Sequence, residues 1–201
     1  MNDRVVITGM GWTTPLGLGI DEVWDAMLAG RCAIGPVNRF PAATFATNFG
    51  AQVPPFELSD FLADCSPHTH AQAHVRYLLA AAAQAWKQAG LGDLAVAGAR
   101  NAGFPALNPA RLGIYTGSGE GAADLVHLSH ASLGAWDGEK QTINYREWAR
   151  LALENFDPDS ELEQEPHRAL THLAEAFGAR GPSLNCMTAC AASTQSVGEA
   201  A

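Results

Sequence analysis

Basic residues are few. Twelve Lys and Arg stand against 21 Asp and Glu, a formal net charge of −9 at pH 7. A broad, general nucleic-acid-binding surface is therefore excluded, although a small basic patch for an acidic partner is not. Cysteine is also sparse. Cys32, Cys65, Cys186 and Cys190 are too few and too scattered for a disulfide framework. A reduced, cytoplasmic setting is the expectation. No apolar run reaches the length of a membrane span, since the longest, Tyr77 to Trp86, is mostly alanine and is broken by Gln84. The chain runs from Asn2-Asp3-Arg4 straight into Val5-Val6-Ile7, without a separate signal peptide. Internal repeats and long linkers are absent as well. What is plentiful is apolar side chain, 47% hydrophobic against 16% charged. That balance fills a core and excludes a disordered tail. At 201 residues the chain is one domain or half of a larger fold.

Arg4 to Thr8 reads as a short buried strand, and Gly9, Gly11 and Pro15 then turn the chain. Ile20, Val23, Trp24, Met27 and Leu28 fall at helical spacing, with Asp21 near the start and Gly30 beyond the end. Residues 35–60 are irregular, with a strand over Gly50 to Val53. His70 to Gln88 is the clearest helix, with a stripe of Val75, Leu78, Leu79, Ala82 and Trp86. Residues 98–110 form a loop through Gly98, Gly103, Pro105, Asn108 and Pro109. Arg111 to Thr116 is a second buried strand ending in Gly117-Ser118-Gly119. Helical pieces are expected near 121–132, 145–155 and 166–177. Asp157 to Glu165 is expected to be an acidic, solvated connector. A strand over Ser183 to Cys186 then leads to a final helix. Strands alternating with helices indicate an α/β fold with an at least partly parallel sheet.

Chemistry concentrates in Gly178 to Thr194. A strand ends, and Cys190 falls at the first turn of the next helix among Ala189, Ala191 and Ala192. Small neighbours leave room for a bulky group to reach sulfur. Unpaired N–H groups at a helix start favour negative charge, both a thiolate and an oxyanion forming beside it. This is a nucleophile elbow with cysteine as the nucleophile. From the residues alone, a buried structural cysteine is an equally good account.

Thr188-Ala189-Cys190-Ala191, preceded by Gly181-Pro182 and followed by Gly198-Glu199-Ala200, resembles the active-site segment of β-ketoacyl-[acyl-carrier-protein] synthases. Three further blocks agree in order. Val5 to Gly17 is similar to the family's opening strand and turn, Arg39-Phe40 to its early loop, and Gly113 to Gly119 to its central strand and glycine turn. Residues 120–165 show no match. The resemblance implies a thiolase-like fold and an acyltransferase of the elongating type. In that reading residues 1–201 are the N-terminal portion, ending inside the helix after the nucleophile, with the C-terminal half absent. Cys190 takes the acyl chain, its backbone N–H donates to the oxyanion, and a malonyl group loses carbon dioxide before attacking the thioester.

The implied partners are acyl carrier protein, bearing acyl and malonyl groups on phosphopantetheine, and a second ketosynthase subunit, as homodimer or heterodimer. Ser183, Leu184, Asn185 and Cys186 are the interface candidates. Gly117, Ser118, Gly119 and Glu120 are the acyl-pocket candidates. Glu120 stands where the family often carries an apolar residue, and either points to solvent or suits a shorter or more polar acyl group. No cofactor and no metal are expected. The family's two catalytic histidines, lysine and phenylalanine loop belong to its later half. None of the seven histidines here stands in those motifs, so a fragment inactive on its own is expected. His68, His70, His74, His167 and His172 read as surface or satisfied residues, with no carboxylate–histidine pattern.

Gly9-Met10-Gly11 lacks the third glycine and the acidic residue of a dinucleotide site. Cys186 and Cys190 are too far apart for a typical zinc knuckle and lack a second pair. Cys186 itself reads as a core or interface residue. Arg76, Lys87 and Arg180 are candidates for a basic patch. Two other classes carry over as alternatives: another thiolase-fold acyltransferase, and a non-catalytic partner like the chain-length factors, which usually lack the cysteine.

Overall fold

The computed structural model describes residues 4–93, 107–121 and 123–201. Much of the expected loop at 98–110, including Gly98, Gly103 and Pro105, lies outside them. The expected opening strand forms no ladder. Val5, Val6 and Ile7 are 65–80% exposed, and none of the described strands pairs with them. A Val-rich run supplies β-propensity but not a partner, and propensity without pairing does not make a strand. The chain beyond it lies flush on a helix instead. A Cβ on Gly9 would stand 2.1 Å from the Ala85 carbonyl oxygen, and one on Gly11 1.9 Å from that of Ala81. Glycine is needed at both positions for this contact. Gln88 Oε1 accepts from the Met10 amide at 2.6 Å, and Gln84 Nε2 donates to the Trp12 carbonyl at 3.1 Å.

Helix α1 spans Ile20–Leu28, with Asp21 and Glu22 in its first turn where the helix dipole favours them. It buries Val23 and Ala26, while Trp24, Met27 and Leu28 stay more than half exposed. The expected stripe is thus buried along one edge only. Strands β1 (Ile34–Pro36) and β2 (Phe49–Ala51) pair antiparallel. Helix α2 spans Ala73–Gln88 and is the core's central element. Its Val75, Leu79, Ala83 and Trp86 are buried against Leu58, Leu62 and helix α6 (Arg168–Phe177), with Leu78 and Ala82 packed alongside.

A 3-10 turn over Pro109–Arg111 precedes strand β3, Ile114–Gly117, so Arg111 belongs to the turn and not to the strand. Helices α3 (Leu125–Gly134) and α4 (Tyr145–Asn155) pack together, joined by a small hairpin of β4 (Trp136–Asp137) and β5 (Thr142–Ile143). Asp124 and Asn144 cap the two helices, each accepting two backbone N–H groups. The acidic stretch is not a solvated loop. Asp157 caps and Pro158 opens a short helix, α5 (Pro158–Glu163), whose last residue is 5% exposed. Helix α6 (Arg168–Phe177) ends at Gly178 with φ +68°.

Strand β6 (Ser183–Cys186) runs parallel to β3, pairing Ile114 with Ser183 and Gly117 with Cys186. Helix α7 (Ala192–Ala200) covers this pair. Ile114 packs into the α2–α6 core, whereas the Gly117 position meets α7. Residues three apart in a strand face opposite ways, so the parallel pair is covered by helix on both faces. Leu79 is fully buried. Leu79→Ala should destabilise the intact protein by about 2–5 kcal/mol, through lost transfer energy and the cavity left behind. The midpoint and slope of a urea unfolding curve check this.

Candidate active site

The candidate nucleophile follows β6 directly. Residues Ala189–Ala191 form a single 3-10 turn that runs into α7. Ala189 has φ +50°, a left-handed conformation that costs a non-glycine residue roughly 1–2 kcal/mol. Strain of this kind marks a sharp strand-to-helix elbow. It leaves Cys190 as an exposed free thiol, one residue past the bend. No side chain caps the start of the 3-10 turn or of α7. The elbow is fastened on its outer side, where Thr188 Oγ1 donates to Gln195 Oε1 at 2.9 Å. Of the two expected readings, a buried structural cysteine describes Cys186, 5% exposed, and not Cys190.

The glycine turn sits beside the elbow. A Cβ on Gly117 would lie 2.4 Å from the Ala192 carbonyl carbon and 2.5 Å from the Ser193 nitrogen. The turn is also stitched to β6. Asn185 Oδ1 accepts from Thr116 Oγ1 at 2.8 Å, its Nδ2 donates to Ser118 Oγ at 2.9 Å, and the Ser118 amide donates to the Cys186 carbonyl at 3.0 Å. Of the four interface candidates, Asn185 and Cys186 therefore face inward, while Ser183 and Leu184 are exposed. Among the described residues β6 has β3 as its one partner, leaving its other edge open.

Gly117, Ser118, Gly119 and Glu120 line a cavity of about 510 Å³ together with Trp12, Thr13, His74, Tyr77, Leu78 and Ala169. Its walls come from four separate stretches of chain, so residues 12–13 and 74–78 join the turn only in the folded molecule. Thr13 Oγ1 is buried with no hydrogen-bond partner. Burial pushes the His74 imidazole below its usual range, which keeps it neutral at neutral pH. Glu120 is exposed at the rim of that cavity.

Two of the basic candidates, Arg76 and Lys87, do not converge. Arg76 and Lys87 are eleven residues apart on α2, about 16 Å along its axis, and Lys87 pairs with Asp93. Arg76 instead shares a cleft with Arg39, which donates to Tyr77 Oη at 2.7 Å and to the Val53 carbonyl at 2.8 Å. The expected lack of a carboxylate–histidine pattern needs correction too. His68 and His172 are each 4% exposed, and Glu163, on the stretch expected to be solvated, provides the carboxylate partner. His172 Nε2 lies 2.7 Å from Glu163 Oε2, and the two Nδ1 atoms of His172 and His68 are 2.9 Å apart. Arg168 also bonds to Glu163. Burial pushes the Glu163 carboxyl upward, but the bonds from His172 and Arg168 outweigh it and hold the group below the usual carboxylate range. These residues are 104 positions apart at the extremes, which is why spacing could not reveal them.

A family model described as the N-terminal domain of beta-ketoacyl synthase matches residues 2–201. The chain belongs to the beta-ketoacyl synthase family. It is 27% identical over 198 residues to 3-oxoacyl-[acyl-carrier-protein] synthase 2 of Coxiella burnetii, covering 98% of this chain and 41% of that relative. Among solved structures, a beta-ketoacyl synthase from Burkholderia phymatum STM815 superposes with a TM-score of 0.68 at 24% identity, covering 98% of this chain and 42% of that one. A type II polyketide ketosynthase, solved in complex with its acyl carrier protein, gives 0.63 at 22%, with 98% and 41% covered. The chain thus spans less than half the length of these ketosynthases, and its architecture is the thiolase-like α/β fold they share. Among the described residues no helix is long and apolar enough to cross a membrane.

Proposed function

We propose that this chain is the nucleophile-bearing part of a condensing enzyme of fatty acid or polyketide synthesis. The observation that carries the reading is the exposed Cys190 thiol directly after the left-handed Ala189. Cys190 Sγ attacks the carbonyl of an acyl group on the phosphopantetheine of an acyl carrier protein. The new C–S bond forms, the carrier's thiol leaves, and it takes the proton that Cys190 gave up. The Cys190 backbone N–H donates to the oxyanion of that step. A malonyl carrier then loses carbon dioxide by breaking its bond to the carboxylate. The resulting carbanion attacks the thioester carbonyl and releases the Cys190 thiolate. The open edge of β6, with Ser183 and Leu184 exposed, suits a second ketosynthase subunit in a homodimer or heterodimer. The resemblance assigns decarboxylation to histidines of the later half, so these 201 residues by themselves are expected to be inactive. The exposed cysteine favours this reading over a non-catalytic partner subunit.

Incubating the intact protein with acyl carrier protein bearing a radiolabelled acyl group tests the proposal. A label recovered on the peptide containing Cys190 is expected, and a stable acyl-enzyme on any other residue would overturn the assignment. The Gly117–Glu120 turn is read as the acyl pocket. On that basis Glu120→Ile should shift preference toward longer chains, by roughly 0.8 kcal/mol, about fourfold in kcat/KM, for each methylene newly sheltered from water. Competition between acyl carriers of different length measures the shift.

A further inference from the structure

We propose that Glu163, His172 and His68 form an acid-releasable tether that positions the Gly117–Gly121 turn, holding while the two histidines share one proton and letting go when they carry two. The chain Arg168–Glu163–His172–His68 joins the end of α5, the body of α6 and the 3-10 turn at Ser66–His68. With Glu163 ionised, His172 donates Nε2–H to Oε2. The two Nδ1 atoms 2.9 Å apart then make one hydrogen bond, with His68 Nδ1–H donating to the bare Nδ1 of His172. A second proton sets two N–H donors head to head and makes His172 an imidazolium in a site where each ring is 4% exposed. On the elements packed around the pair stand Asp64, Cys65 and His70 beside the 66–68 turn, and Asp157 and Glu161 on the α5 side. Arg168, His167 and Glu175 lie on α6, and His74 and Arg76 on α2.

The tether reaches the glycine turn through the next residue. Gln164 Oε1 accepts from the Asp124 amide at 2.9 Å, and its Nε2 donates to Glu161 Oε1 at 2.8 Å. The Gln164 carbonyl oxygen lies 1.8 Å from where a Cβ on Gly121 would stand, with Pro166 Cδ at 3.3 Å. Pro166 and Ala169 also wall the cavity that the turn lines. Glu163 thus fixes the segment against which the end of the turn rests. The carboxyl is held below its usual range, so its own contribution to stability is present above about pH 4.5 and is lost only below that. Release above that pH is therefore assigned to a second proton on the Nδ1–Nδ1 pair and not to the carboxyl.

The tether stands without the proposed function; only the acyl-pocket role of the turn rests on it. Hydrogen–deuterium exchange of the intact protein from pH 7.5 to 5.0, corrected for intrinsic exchange, tests it. Peptides covering 117–124 and 157–164 should gain exchange together, by at least tenfold, as the pH falls. His68→Asn keeps a side-chain amide near the Nδ1 position but cannot take up the second proton, so it should hold both peptides protected down to pH 5. Glu163→Gln should open both at pH 7.5. A flat profile in the unsubstituted protein overturns the tether, as does opening of 157–164 without 117–124. Acid sensitivity unchanged in His68→Asn overturns it equally. Should that variant not fold, the unsubstituted profile and Glu163→Gln decide. Acylation of Cys190 at pH 7.5, followed in parallel, should be unchanged in His68→Asn. Its loss from the unsubstituted protein would count against the proposed function and not against the tether.

Discussion

Cys190→Ala should abolish the acyl-enzyme and lower condensation by on the order of 10³-fold or more in the intact protein, with folding unaffected. The two halves of this expectation have separate causes. Cys190 is exposed, and exposed substitutions away from caps and cores usually change stability by less than about 0.5 kcal/mol. Its sulfur is the one atom in the scheme that forms and breaks a bond to the acyl group, so no neighbour replaces it. Cys190→Ser keeps the shape but offers a hydroxyl, a far weaker nucleophile near neutral pH, and should also fail. Full condensing activity in Cys190→Ala, measured as acyl carrier product by mass spectrometry, would refute the enzyme assignment.

The second large effect is expected at a residue without a side chain. Gly117→Ala introduces a methyl 2.4–2.5 Å from the Ala192 carbonyl group and the Ser193 nitrogen. These are backbone atoms and cannot rotate aside. Either β3 or α7 must move, at a cost of about 1–3 kcal/mol or more. The start of α7 follows Cys190 by two residues, so the shift reaches the nucleophile. Misplacement by about 1 Å can slow a positioned reaction by around 10²-fold. Acylation should therefore fall by more than the loss of stability explains. Gly119→Ala is the control, because nothing lies within 4 Å of its added methyl. Its thermal midpoint should match that of the unsubstituted protein.

The parts of the fold legible in the sequence were those set by local patterns. The α2 stripe of Val75, Leu79 and Trp86, the glycine that ends α6, and the β6–elbow–α7 succession around Cys190 each lie within one short window. Val5–Ile7 forms no strand despite its β-propensity, because a strand depends on its partner. The α5 helix was misread because its charges suggested solvent, although Asp157 and Pro158 form a helix start. The cavity and the buried histidine pair were invisible for a different reason. Trp12 meets Gln84 and His68 meets His172 only after the chain has folded, and neither separation follows a local period.

The flush contact of Gly9 and Gly11 with α2 also has a mechanical consequence. Two backbones that touch with no side chain between them have no slack to absorb relative motion. Sliding α2 along its axis would drag Trp12 and Thr13 with it, through the grip of Gln84 and Gln88. The cavity beside the elbow would then change width while keeping the same lining, so that a push on α2 is felt as a change of bore.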